Sequence, residues 1–213
     1  MSNFDFDNDS NEQINVSELI AQYEQSVQNN HTPFFDEDNY EVIIEHYEEK
    51  GDFERALEVT EKSLLQYPYS SILLLKKAQV FFEMKQLNAS LDILEKAEIY
   101  DSSELGIYLL RAEIFAFQSR YTEAIEILEN LFNTADPEDF ADIYLQLCDV
   151  YEDCEKYFEV YDCLVNCLKI DPNNEEALNR FNYCIEITDK YEESIPIHKQ
   201  LIDNLEQFVL YKN

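Results

Sequence analysis

The sequence predicts an all-α chain, built as a right-handed α-solenoid of stacked helix-turn-helix units. Three observations carry this expectation. The segments GDFERALEV (51–59), KQLNASLDI (85–93), SRYTEAIEI (119–127), EKYFEVYDC (155–163) and DKYEESIPI (189–197) start 34 residues apart, with one interval longer by two. In each, an aromatic or Leu is followed three positions on by a small or β-branched residue, then by apolar residues at helical spacing. Glycine (2) and proline (5) are scarce, which disfavours sheets and long loops. A fixed period of this length marks supersecondary units that shelter one another's apolar faces.

Taken in order, residues 1–16 are acidic and Asn-rich, a composition expected to stay disordered. Ser17 is placed to cap a short helix whose stripe of Leu19, Ile20, Tyr23 and Val27 cannot be buried within the helix itself. Residues 17–36 are therefore expected to form an N-terminal capping helix and its connector. Asp36 and Asp38 would favour the positive end of the next helix. Five units follow at 37–70, 71–104, 105–138, 141–174 and 175–208, with Asp139 and Phe140 inserted in a turn between the third and fourth.

Within a unit, the fourth, eighth and eleventh positions share one face of a first helix. They hold Tyr40, Ile44 and Tyr47 in the first unit, Leu74, Ala78 and Phe81 in the second, and Tyr144, Cys148 and Tyr151 in the fourth. Positions seventeen, twenty, twenty-four and twenty-seven line the second helix, as with Leu87, Ser90, Leu94 and Ala97. Small residues at eight and twenty let the two helices approach closely, and the aromatic at eleven fills the space beside them. Pro68 and Pro172 stand just past the second helix, where fixed φ and a missing N–H end it. Residues 209–213, VLYKN, read as the start of an incomplete further repeat.

This pattern closely resembles the tetratricopeptide repeat (TPR). YEVIIEHYEEKGDFERALEVTEKSLLQYP in the first unit and the stretch from Tyr144 to Pro172 in the fourth match it best. There are departures. Lys77 and Arg111 replace an apolar residue at position seven, and Asn182 a small one at position eight. Glu206 stands where the closing Pro belongs, and Pro196 should bend or delay the last helix. Lys77 and Arg111 are expected to snorkel toward neighbouring carboxylates such as Glu83 or Glu113.

The formal charge is −31, from 46 acidic and 15 basic residues. Such a chain lacks the positive footprint that nucleic acid or an anionic membrane requires. Residues 1–54 carry fifteen carboxylates against Lys50 alone. No apolar run is long enough to span a bilayer, so a cytoplasmic protein is expected. The five cysteines (Cys148, Cys154, Cys163, Cys167 and Cys184) make no even framework, and the three histidines are scattered. Neither set offers metal-ligand spacing, and no phosphate loop or nucleophile elbow is present, so neither enzyme activity nor a cofactor is expected.

The resemblance implies a concave groove lined by positions two, five, nine, twelve and thirteen of the first helices. Its residues here include Glu41, Glu45, Glu48, Leu75, Gln79, Phe82, Leu109, Glu113, Phe117, Asp149, Glu152, Tyr183 and Glu186. Some members of the family grip acidic tails with Lys and Asn at positions five and nine. Glu41 and Glu45 stand there instead, so that clamp is absent. The expected guest is a basic or amphipathic protein segment, drawn by anionic ends and seated on an apolar centre. The expected function is thus a non-catalytic scaffold. The alternative is an assembly protein that forms a homodimer through the open C-terminal edge.

Overall fold

The computed structural model describes residues 16–29 and 34–211, with side chains through 202. Among these residues every regular element is helical. Of the segment expected to be disordered, 1–16, residues 1–15 lie outside them and Val16 opens the first helix.

The first helix, α1 (Val16–Gln28), buries Leu19, Ile20 and Tyr23. It begins one residue before Ser17, which therefore sits in the first turn and is not its cap. The Tyr23 ring stands 6.4 Å from both Phe35 in the connector and Tyr47 of the first hairpin, so the stripe packs on the residues that follow it.

Five hairpins follow: α2 (Glu37–Glu49) with α3 (Phe53–Gln66), α4 (Ser71–Glu83) with α5 (Leu87–Tyr100), α6 (Leu105–Phe117) with α7 (Tyr121–Leu131), α8 (Phe140–Asp153) with α9 (Tyr157–Ile170), and α10 (Glu175–Thr188) with α11 (Tyr191–Tyr211). Each helix packs on the next along the chain, and α2, α4, α6 and α8 also touch in succession. This translational stacking makes the molecule a solenoid.

The hairpins share one turn. Gly51, Lys85, Ser119, Glu155 and Asp189 all have φ between 56° and 68°, the left-handed region. In the first four hairpins the next residue's N–H reaches the carbonyl of the aromatic five residues back: Asp52 to Tyr47, Gln86 to Phe81, Arg120 to Phe115 and Lys156 to Tyr151, at 2.8–2.9 Å. The left-handed residue's own N–H bonds three residues back. This is the Schellman arrangement, which satisfies the last carbonyls of the first helix.

Small residues then bring each pair together. The buried Ser90 hydroxyl donates to the Ala78 carbonyl at 2.7 Å, and the Cys148 thiol lies 3.8 Å from the Val160 carbonyl. Side-chain caps start four of the first helices: Asp36, Ser70, Glu104 and Asn174 each accept a backbone N–H of the following turn.

The two inserted residues are taken up between α7 and α8. Asp139 closes a short 3₁₀ turn (Pro137–Asp139), and Phe140 opens α8 with its ring 5.1 Å from Phe132. The last helix departs from expectation. α11 starts at Tyr191, in register with the other second helices, and continues through Pro196 to Tyr211. Pro196 therefore does not delay it. The carbonyl left without a partner belongs to exposed Glu192, where water can reach it. Residues 209–211 extend this helix instead of opening a further unit, and 212–213 lie outside the described residues.

Candidate functional site

The first helices stack on one another in succession, and the side chains expected to line a groove fall on them. α2 supplies Glu41, Glu45 and Glu48; α4 supplies Leu75, Gln79 and Phe82; α6 supplies Leu109, Glu113 and Phe117. Asp149 and Glu152 come from α8, Tyr183 and Glu186 from α10. The structure divides this series into three zones.

The central zone is a cavity of about 550 Å³ lined by Glu48, Glu49, Gln79, Phe82, Glu83, Gly106, Leu109 and Glu113, together with Phe53 and Leu110. Gly106 helps make it. A Cβ there would come within 2.5 Å of the Leu75 Cδ2, so glycine lets Leu75 pack flat beneath α6. Leu75 (8% exposed) is accordingly part of the floor rather than an open contact. A second cavity of about 270 Å³ lies beyond, lined by Phe82, Glu113, Ala116, Phe117, Gln146, Asp149, Val150 and Asp153. Phe82 and Glu113 belong to both. The Phe82 and Phe117 rings meet edge to face, 5.9 Å apart. Phe117 remains 55% exposed, whereas Phe82 is 7% exposed.

The other two zones carry their own cations. At one end Lys76 Nζ pairs with Glu45 at 2.6 Å and also lowers the proton affinity of Glu41 and Glu48. At the other, Arg180 holds Asp149 at 2.8 Å, with Glu152 and Glu176 each at 2.9 Å. Burial works against the Arg180 charge, but Asp149 and Glu152 outweigh it and hold the guanidinium above its ordinary range. Each end therefore keeps an excess of carboxylates but carries one cation of its own. Both ends are partly neutralised from within, while Glu49, Glu83, Glu113 and Asp153 form no ion pair among the described residues. Sequence reasoning overlooked Lys76 and Arg180 because they occupy position six of their units. That position continues the stripe of positions two, nine and thirteen, so helical spacing could have found them. Tyr183 and Glu186 are exposed and line neither cavity.

Four carboxyls of this face, Glu41, Glu48, Glu113 and Asp149, resist ionisation. Burial, followed by repulsion from Glu45 and Glu83, pushes Glu48 up to about 7 despite Lys76. Glu113 is raised by burial, then by Glu83 and Asp149, with Lys85 opposing. Asp149 is raised by burial despite its bond to Arg180.

Lys77 and Arg111 do not enter the groove. They reach Glu61 at 3.3 Å and Glu98 at 2.6 Å, carboxylates on the second helix of the preceding unit, and not Glu83 or Glu113. Asn182 is exposed, with its Oδ1 3.4 Å from His198 Nε2, and the His198 ring lies 5.5 Å from Phe181. All five cysteines are free thiols, and burial pushes Cys167 and Cys184 up to about 11. No group of His, Cys, Asp and Glu suited to a metal ion occurs among the described residues. No described helix is long and apolar enough to cross a membrane.

Neither a protein-family model nor a curated protein sequence matches the chain. Solved structures do. A thermophilic TPR protein of Thermus thermophilus, TTC0263, superposes with a TM-score of 0.66 at 15% identity, covering 80% of this chain and 90% of its own. MamA gives 0.56 at 20% identity, covering 84% and 100%. A structure of the APC/C hetero-tetramer Cut9-Hcn1 gives 0.61 at 11% identity, covering 81% of this chain but 34% of that one. The chain has the tetratricopeptide-repeat fold.

Proposed function

We propose that this tetratricopeptide-repeat solenoid is a scaffold without chemistry of its own, which holds a basic or amphipathic segment of a partner protein in its concave groove. The observation that carries this reading is the central cavity. It is open, has apolar Leu109 and Phe82 in its wall, and is ringed by Glu48, Glu49, Glu83 and Glu113. Burial and neighbouring carboxylates make the charges of Glu48 and Glu113 costly, and a cationic side chain relieves that cost. An anionic guest would add to it. The fold relatives are consistent with a protein partner, since one was solved within a hetero-tetramer. Free, buried thiols suit a reducing compartment, and we place the protein in the cytoplasm.

The test is a fluorescence-anisotropy titration with basic amphipathic peptides at several salt concentrations. Binding should weaken as salt rises, and Glu113→Gln should weaken it about threefold to tenfold at low salt. Salt-independent binding, or binding of acidic peptides instead, would overturn the reading.

A second reading, self-association through the solenoid end, has one observation in its favour. Ile195 and Ile202 are 50% and 55% exposed, while Tyr161 and Leu168 at the same positions of the preceding unit are 5% and 2% exposed. Sedimentation that finds a dimer surviving Phe82→Ala with Phe117→Ala would favour it.

A further inference from the structure

Lys85 stands over the centre of the groove. Its ammonium lies 5.1 Å from the centroid of the Phe82 ring and 4.8 Å from that of Phe117. It forms no ion pair among the described residues, although Glu113 feels its charge. Elsewhere in the groove, Lys76 and Arg180 sit directly on carboxylates. The side chain reaches this place from the left-handed turn after α4, where its φ is 58°.

An ammonium this near two ring centroids is attracted by the negative faces of their π systems. Phe82 lines both cavities and walls one from the other, with Phe117 on the side of the smaller one, and Glu113 also lines both. Asp149 and Asp153 line one side of the wall and Glu83 the other, so the surrounding field favours positive charge on either side.

We propose that Phe82 and Phe117 form a recognition platform for a lysine side chain of the partner segment, and that Lys85 occupies it as an internal stand-in. This deepens the groove reading and rests on it. A partner lysine displaces the Lys85 ammonium toward solvent, takes its place over the rings, and is held as well by Glu113 and its neighbours. The stem of the incoming side chain covers the exposed face of Phe117. Lys85 thereby competes with every cationic guest, and its removal strengthens binding.

The probe is a labelled peptide with a Leu-Lys-Leu centre between two outer lysines, compared with a peptide whose central lysine is norleucine. The wild-type protein should prefer the lysine centre by about threefold to tenfold. Phe117→Leu, at an exposed site, should erase that preference while leaving the melting temperature unchanged; Phe82→Leu should do the same at some cost in stability. Lys85→Gln should tighten binding of the lysine peptide about threefold or more. Lys96→Gln changes net charge equally at an exposed position of α5 and should have less effect. If both peptides bind the wild type equally in a salt-dependent way, or Lys85→Gln and Lys96→Gln act alike, the platform is refuted and the groove reading stands. If neither peptide binds even at low salt, both fail.

Discussion

Glu48 illustrates what burial beside other carboxylates does to a single residue. Its carboxyl is raised from an ordinary 4.5 to about 7, chiefly by burial. A raised acid binds its proton more tightly in the folded chain than in the unfolded one. Between about pH 4.5 and pH 7, therefore, folding stability falls as pH rises, and the full cost is present above pH 7. Glu48→Gln removes an ionisation that the fold resists. Because the side chain is only partly buried and Lys76 is near, the gain should be about 1 kcal/mol at about pH 8. It should disappear below about pH 4.5. Urea unfolding at both pH values measures it, and an equal effect at each would show that burial of the charge is not the cause. None of this was visible in the sequence. The position of Glu48 on a first helix was legible, but its environment depends on Lys76, Glu45 and Glu83, three side chains on two helices.

At the scale of the element, the hairpin turn is the recurrent unit. One residue in each turn takes a left-handed conformation, and only in the first hairpin is it glycine. A side chain there costs roughly 1 kcal/mol against the preceding carbonyl. Ser119→Gly and Glu155→Gly should each stabilise the chain by several tenths to about 1 kcal/mol. Gly51→Ala should destabilise it by about 1 kcal/mol. A Cβ at Gly51 would meet nothing within 4 Å, so that loss comes from the backbone alone. Chemical denaturation of the three variants checks this, and a neutral Gly51→Ala would contradict it. The turns were legible as boundaries because a large apolar residue at position eleven, aromatic in the first four units, and the residue at position seventeen flank them in every unit. Their handedness was not, since Lys85, Ser119, Glu155 and Asp189 share no side-chain property that favours a positive φ.

At the scale of the whole molecule, 46 carboxylates cannot all find partners among 15 Lys and Arg. The stack is therefore under net self-repulsion, which salt screens. The melting temperature should rise between low and moderate ionic strength, as differential scanning calorimetry can show; a flat response would mean that local pairs already compensate the charge. What the sequence determined by itself was the stack: a spacing of 34 residues, small residues at positions eight and twenty, and an aromatic at position eleven are periodic along the chain, and neighbouring units read that period directly. The tertiary structure alone decided where the charge is balanced. It set Lys76 and Arg180 against carboxylates at the two ends of the groove, turned Lys77 and Arg111 away to Glu61 and Glu98, and laid Lys85 across Phe82 and Phe117. The physical reason is reach. Helix periodicity assigns a side chain to a face, but a long cation chooses among partners on adjacent units, and only their distances settle which it meets.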